Sequence, residues 1–176
     1  MQKTVKIVVY HARQCDPKKC TALKLKRHGL IRLVPHVKLI PRRAVVLNPF
    51  SEIAFSPADR QRIEKFGLVA LDCSWEHAEE VLLKRLRGTS RCLPVLLAGN
   101  PVNFGRPTKL TTAEALAAAL FIANFKEGAS HLLSMFKWGH TFLDLNSERL
   151  EEYSKAKDST EIIKLQSSFI EDKEKK

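Results

Sequence analysis

The sequence predicts an α/β first half built on a mainly parallel sheet, followed by an all-α second half. Three observations carry that expectation. Short apolar runs rich in β-branched residues recur at 4–10, 44–47 and 68–71, separated by segments with helix start and stop residues. Alternation of strand and helix is the pattern of a parallel sheet with helices on its faces. After Leu110 no strand pattern remains, only helix-forming stretches. The expected division is an α/β domain over 1–95 and a loop plus helical domain over 96–176, with no low-complexity linker between them and a shared cleft.

Taken in order, Thr4 to Tyr10 (TVKIVVY) reads as the first strand. Asp16 and Pro17 are suited to cap and open a helix that Gly29 stops. Ala44 to Leu47 is a second buried strand, ended by Asn48 and Pro49. Ser56 and Pro57 open a short helix closed by Gly67, and Leu68 to Leu71 is a strand that delivers Asp72 at its carboxyl end. Ser74 caps a helix expected to run to about Leu86, with Glu76 and Glu79 near the positive end of its dipole. Residues 92–98 read as a further buried strand. Thr111 and Glu114 form a capping-box pair ahead of an Ala-rich helix, and further helices are expected over 129–136, 147–157 and 159–170.

The 176 residues carry 30 Lys and Arg against 19 Asp and Glu, a net charge of +11 that favours a polyanionic partner. The charge is uneven. Between Lys18 and Arg43 there are nine basic residues and no acidic one, and Lys18, Lys19, Lys24, Arg27, Arg32, Arg42 and Arg43 are the candidate RNA contacts. No apolar run approaches the ~18 residues of a membrane span, and Met1 leads directly into a strand without a leader pattern, so a cytoplasmic protein with no membrane contact is expected. Cys15, Cys20, Cys73 and Cys92 contain no CxxC pair. His11, Cys15, Cys20 and His28 have spacings that fit none of the usual zinc patterns, and no metal is expected.

Candidate chemistry gathers around the stretch from Cys92 to Leu110. Pro101, Gly105 and Pro107, with Asn100 and Asn103, forbid regular structure, and the loop is roughly twice the 2 to 6 residues an ordinary connection takes. A long, stiff loop of this kind is built to hold a shape and suits binding. No GxGxxG, Walker A, GxSxG or HExxH motif is present. What remains is Asp72, a carboxylate at the end of a buried strand, whose place suits either function or a helix cap shared with Ser74. Trp75, on the first turn of the following helix, is either core or one wall of a base-stacking pocket.

LPVLLAGNPVNFG, preceded by LDCSW at 71–75 and followed by KLTTAEALAAALFI, resembles the ribosomal RNA aminocarboxypropyltransferases, with an archaeal member the best fit. The resemblance runs from Val5 to about Tyr153. Phe104 stands where that family usually carries Tyr, and Gly99 where Ala is common. The resemblance implies S-adenosylmethionine as cofactor, with its adenine enclosed by Leu47, Pro49, Trp75, Leu93, Leu110 and Ala115. It further implies that backbone groups at Leu93 and Thr108 meet the adenine nitrogens and the carbonyl of Leu71 meets the ribose. Thr21 would hold the amino-acid end, Ala78 would pack along it, and Asp72 would face the reacting base as proton acceptor. The implied fold is similar to the knotted SPOUT-type RNA methyltransferases. The implied reaction moves a 3-amino-3-carboxypropyl group to N3 of a uridine or pseudouridine in small-subunit rRNA, by a monomeric enzyme serving ribosome biogenesis. Two alternatives stand beside it: a SPOUT-like rRNA methyltransferase, and a basic, non-catalytic assembly factor that binds pre-ribosomal RNA.

Overall fold

The structure, a computed structural model, describes residues 4–74, 76–77, 79–80 and 86–174. Five strands, β1 (Ile7–His11), β2 (Arg32–Val34), β3 (Val45–Leu47), β4 (Leu68–Asp72) and β5 (Thr89–Arg91), pair in parallel in the order β2-β1-β4-β3-β5. The helices are α1 (Thr21–Arg27), α2 (Arg60–Phe66), α3 (Thr112–Ile122), α4 (Lys126–Leu133), α5 (Gly139–Leu145), α6 (Ser147–Lys155) and α7 (Ser159–Glu174).

Successive strand residues serve opposite faces. Val9, Val45, Leu47, Leu68 and Ala70 join one apolar cluster, while Val8, Tyr10, Val46 and Val69 join another on the far side. Both faces are therefore covered, as the continuous apolar runs require and as parallel sheets demand. Eight of the eleven residues of α3 are buried, since its alanines let it lie against the sheet and α4 at close range. A helix apolar all round belongs in a core.

The expected fold class needs correction. The second half is not a separate all-α lobe. Ala113, Leu116 and Leu120 of α3, Ala129 and Leu132 of α4, Phe142 of α5 and Tyr153 of α6 share one cluster with Val9, Leu68 and Ala70 of the sheet. Nor does a knotted SPOUT-type fold describe the chain. The single five-stranded parallel sheet, with helices along the whole sequence, replaces it, and the solved structure reported below shares this fold. A knot was implied by likeness alone, because no local pattern of residues encodes threading.

Two strands and one helix escaped the sequence reading. β2 is the short run RLV inside the basic block, whose cations drew the reading toward RNA contact, and β5 is the polar triplet TSR without an apolar signature. α5 was also missed, a seven-residue helix. Conversely, 92–98, buried at 94 and 96–98, makes only isolated bridges, Cys92 with Ala54 and Leu97 with Pro107, and is not a ladder strand. Pro94 removes a donor, and side chains of the last helices take over the pairing. Gln166 accepts from Val95 N at 2.8 Å, Asn146 Oδ1 accepts from Leu97 N at 2.7 Å and its Nδ2 donates to Leu97 O at 2.8 Å, and Tyr153 donates to Val95 O at 3.2 Å. Asp16 closes a turn through Lys18 N, Lys19 N and Cys20 N, so the first helix starts only at Thr21. The helix expected after Ser74 falls largely outside the described residues, although Ser74 Oγ does accept from His77 N at 3.2 Å.

Candidate active site

Beyond the carboxyl ends of β3 and β4 lies a cavity of about 430 Å³. It is lined by Leu47 at the end of β3 and Pro49 after it, and by Ala70, Leu71 and Cys73 at the end of β4. Its other wall comes from Cys92, Leu93 and Pro94, then Thr108, Leu110 and the first residues of α3. Seven of the ten expected cofactor-binding residues meet here: Leu47, Pro49, Leu71, Leu93, Thr108, Leu110 and Ala115. Trp75 and Ala78 lie outside the described residues. Thr21 is not in the lining; its Oγ1 accepts from Ala113 N at 3.3 Å, on the first turn of α3 beside Thr111 and Thr112, which are. Thr111, Thr112 and Asn48 also line the cavity; the sequence marks Thr111 as a helix cap and Asn48 as a strand end, signals that give none of the three a site role.

The loop that leads into Thr108 and Leu110 of the lining is held by one carboxylate. Glu114 is fully buried, and its two oxygens accept from Gly99 N (2.7 Å), Asn100 N (3.0 Å), Asn100 Nδ2 (2.9 Å) and Thr111 N (2.7 Å). The loop doubles back on itself through Ala98 N to Arg106 O (3.0 Å) and Gly105 N to Ala98 O (2.7 Å). Thr108 takes φ +60°, sparsely populated for a β-branched residue, while its N–H donates to Leu96 O at 3.0 Å. The glycine at 99 also has its reason: a Cβ there would lie 2.6 Å from Phe142 N and Cα, so α5 leaves no room for Ala. Phe104 is 60% exposed on the same loop.

Asp72 does not stand free before the cavity. Its Oδ1 accepts from Thr112 Oγ1 at 3.3 Å, and its Oδ2 is turned to His11 Nε2 at 3.4 Å, Cys20 Sγ at 3.4 Å and Cys15 Sγ at 3.9 Å. His28, the fourth of the residues whose spacings fit no usual zinc pattern, is not in this group, and Asp72 takes its place. No spacing rule could have found that, since Asp72 arrives from another strand. Burial first, then the hydrogen bond with Cys15, pushes the Cys20 thiol up to about 12. Burial likewise pushes Cys73 up to about 11, with the charge of Asp72 adding to it.

Of the candidate RNA contacts, Lys18, Lys19, Arg27, Arg32, Arg42 and Arg43 are exposed. Lys24 is half-buried, its ammonium 5.0 Å from the centre of the Phe136 ring, and the Arg43 guanidinium lies 4.0 Å from that of Phe66. Among the described residues no helix is long and apolar enough to cross a membrane.

A model of the family described as "Ribosome biogenesis protein, C-terminal" matches residues 45–170, and one described as "Possible Fer4-like domain in RNase L inhibitor, RLI" matches residues 5–36. The chain is 53% identical over 170 residues to a 16S rRNA aminocarboxypropyltransferase of Methanosarcina mazei, with 96% of each chain covered. It is 51% identical over 168 residues to the protein of that name from Methanothermobacter thermautotrophicus, covering 94% of this chain and 99% of that one. Among solved structures, the SAM-dependent rRNA:acp-transferase Tsr3 from Vulcanisaeta distributa is similar with a TM-score of 0.83 and 36% identity, over 94% of this chain and 97% of that one. With half its residues shared with such relatives along nearly the whole length, the chain belongs to the family of 16S rRNA aminocarboxypropyltransferases.

Proposed function

We propose that this protein transfers the 3-amino-3-carboxypropyl group of S-adenosylmethionine to N3 of a uridine or pseudouridine in small-subunit rRNA. The observation that carries the reading is the cavity at the ends of β3 and β4. Its volume is within the range of small-ligand sites, and its lining is largely apolar with a few polar groups. Such a pocket suits an adenine between Leu47, Leu93 and Leu110. Thr21, although outside the lining, accepts from Ala113 N on the first turn of α3, next to Thr111 and Thr112 of the lining. A helix N-terminus favours a carboxylate, so this is where the amino-acid end of the cofactor belongs.

When bound, the sulfonium offers an electrophilic γ-carbon, so that an N3–Cγ bond forms as the Cγ–S bond breaks, the sulfur keeps the electron pair as methylthioadenosine, and the N3 proton passes to solvent. The chain's own contribution is orientation, which can supply much of the barrier reduction in a displacement of this kind. The loop held by Glu114 keeps Thr108 and Leu110 in place. Asp72, with both oxygens already engaged, acts on the site by fixing Thr112 and the β4 end, in place of the free proton acceptor that the resemblance implied. The exposed cations of 18–43 supply the rRNA contacts, and the enzyme works as a cytoplasmic monomer.

Mass spectrometry of rRNA nucleosides from cells with and without this protein, together with incubation of the purified enzyme, S-adenosylmethionine and unmodified small subunits, tests the reading. A gain of the aminocarboxypropyl mass on one uridine-derived nucleoside with release of methylthioadenosine is expected. A gain of a methyl group with release of S-adenosylhomocysteine would overturn it.

A further inference from the structure

We propose that His11, Cys15, Cys20 and Asp72 form a closed tetrahedral site for one zinc ion. The four ligand atoms lie within 4.8 Å of one another. The measured separations are 3.3 Å for His11 Nε2 to Cys15 Sγ, 3.6 Å for His11 Nε2 to Cys20 Sγ, and 3.4, 3.4 and 3.9 Å from Asp72 Oδ2 to His11 Nε2, Cys20 Sγ and Cys15 Sγ. Zinc holds nitrogen and oxygen at about 2.0–2.2 Å and thiolate sulfur at about 2.3 Å, and at tetrahedral angles such ligands stand about 3.3–3.8 Å apart. Five of the six edges, at 3.3 to 3.9 Å, lie at or close to that figure, and the sixth, between Cys15 Sγ and Cys20 Sγ, is within 4.8 Å.

A plain hydrogen-bonded cluster accounts for them less well. An N–H···O bond has its heavy atoms at about 2.7–3.2 Å, whereas His11 Nε2 stands at 3.4 Å from Asp72 Oδ2. Three groups converge on that single oxygen while the other oxygen takes Thr112, which leaves a centre between the four atoms.

The scaffold is rigid where a structural site needs it. His11 and Asp72 are register partners at the carboxyl ends of adjacent β1 and β4, and Ala12 N donates to Asp72 O at 3.1 Å. β1 leads away to β2 at one edge, while β4 leads to β5 at the other, so their shared end is the topological switch point of the sheet, where open α/β folds bind ligands. Cys20 caps α1, and Cys15 lies in the connection from β1. His11 and Cys20 are 8% and 7% exposed. Two thiolates and an imidazole are ligands that zinc takes readily, and an iron–sulfur cluster would ask for four cysteines where this group has two. Residues 5–36, matched by the Fer4-like description, contain three of the four ligands. With both thiols deprotonated, the loaded site carries one net negative charge, and Arg13 and Lys26 line the cavity of about 390 Å³ that opens beside His11 and Cys15. The ion would tie the ends of β1 and β4 to the start of α1, which carries Thr21.

The test is metal content, independent of rRNA modification. The full-length protein, stripped by a chelator, reloaded with zinc and freed of excess by gel filtration, is expected to hold one zinc per chain, to melt at a higher temperature than the stripped form, and with cobalt to give the intense visible and thiolate charge-transfer bands of a tetrahedral dithiolate site. Cys15→Ser and Cys20→Ser should each lower zinc affinity more than about tenfold, while Cys92→Ser, outside the set, keeps one equivalent. Cys15 is half-buried, so its variant remains informative if Cys20→Ser does not fold. The proposal is overturned by a protein that retains no zinc, by a weak octahedral cobalt spectrum, by unchanged affinity in Cys15→Ser, or by a Cys15–Cys20 disulfide in place of bound metal. These outcomes leave the transfer reaction untouched.

Discussion

Glu114 accepts the backbone N–H of Gly99 at 2.7 Å, joining the first turn of α3 to the start of the loop that leads into Thr108 and Leu110. Asn100 N, Asn100 Nδ2 and Thr111 N complete four donors around one buried carboxylate. A neutral amide would turn its own two N–H groups toward donors. Glu114→Gln should therefore cost about 2 to 5 kcal/mol of stability and weaken S-adenosylmethionine binding, as read by denaturant titration and calorimetry. An unchanged unfolding midpoint would mean the loop is held by other contacts.

Ala115 lines the cavity from α3 and is partly open toward it. Ala115→Phe should fill the adenine space and reduce cofactor affinity by more than about tenfold, a loss of over ~1.4 kcal/mol, while the circular dichroism of the helices stays as it is. Retained affinity would move the adenine elsewhere.

Asp72→Asn and Thr112→Val separate two tasks for the same carboxylate. If Asp72 works by fixing Thr112 at the cavity edge, both variants should slow transfer by about tenfold or more, with cofactor affinity changed less than that. Full activity in Thr112→Val together with a loss of about 10² or more in Asp72→Asn would restore Asp72 as the proton acceptor.

Arg27 and Arg32 are exposed, whereas Lys24 is partly engaged on Phe136. Arg27 and Arg32 are therefore the cleaner probes of the RNA face. Arg27→Glu with Arg32→Glu should lower the slope of log affinity against log salt by about 2 units, since each phosphate contact contributes about 0.9. Cofactor affinity should not change, and an unaltered salt slope would place the rRNA on another face.

Tyr153 is buried and donates to Val95 O, and burial, opposed by the charge of Arg149, pushes its phenol up to about 12. The folded form therefore holds its proton more tightly than the unfolded one. Its contribution to stability is complete below pH 10 and is lost as pH rises from about 10 toward 12. Tyr153→Phe should lose about 1 kcal/mol at neutral pH and show a shallower fall in melting temperature above pH 10. A parallel fall in both proteins would remove Tyr153 as its source.

What the sequence determined by itself is local or carried by likeness. Leu68 to Leu71 is legible as a strand because an apolar run between Gly67 and Asp72 leaves little else possible, and Thr111 with Glu114 is legible as a capping box because the partners are three residues apart. The expected cofactor site came from a motif resemblance spanning Leu71 to Ile122, and seven of its ten expected residues line one cavity. Only tertiary structure decided what depends on distant partners. Nothing near Gly99 announces that Phe142 leaves no room for a Cβ, or that Asn146 pairs with Leu97 where a strand was expected. The single core shared by sheet and C-terminal helices is likewise a matter of packing across more than a hundred residues, which periodicity does not encode. The same holds for Asp72 beside His11, Cys15 and Cys20: a ligand set is a set of distances, and its fourth member lies 52 residues beyond the third, brought back only by the pairing of β1 with β4.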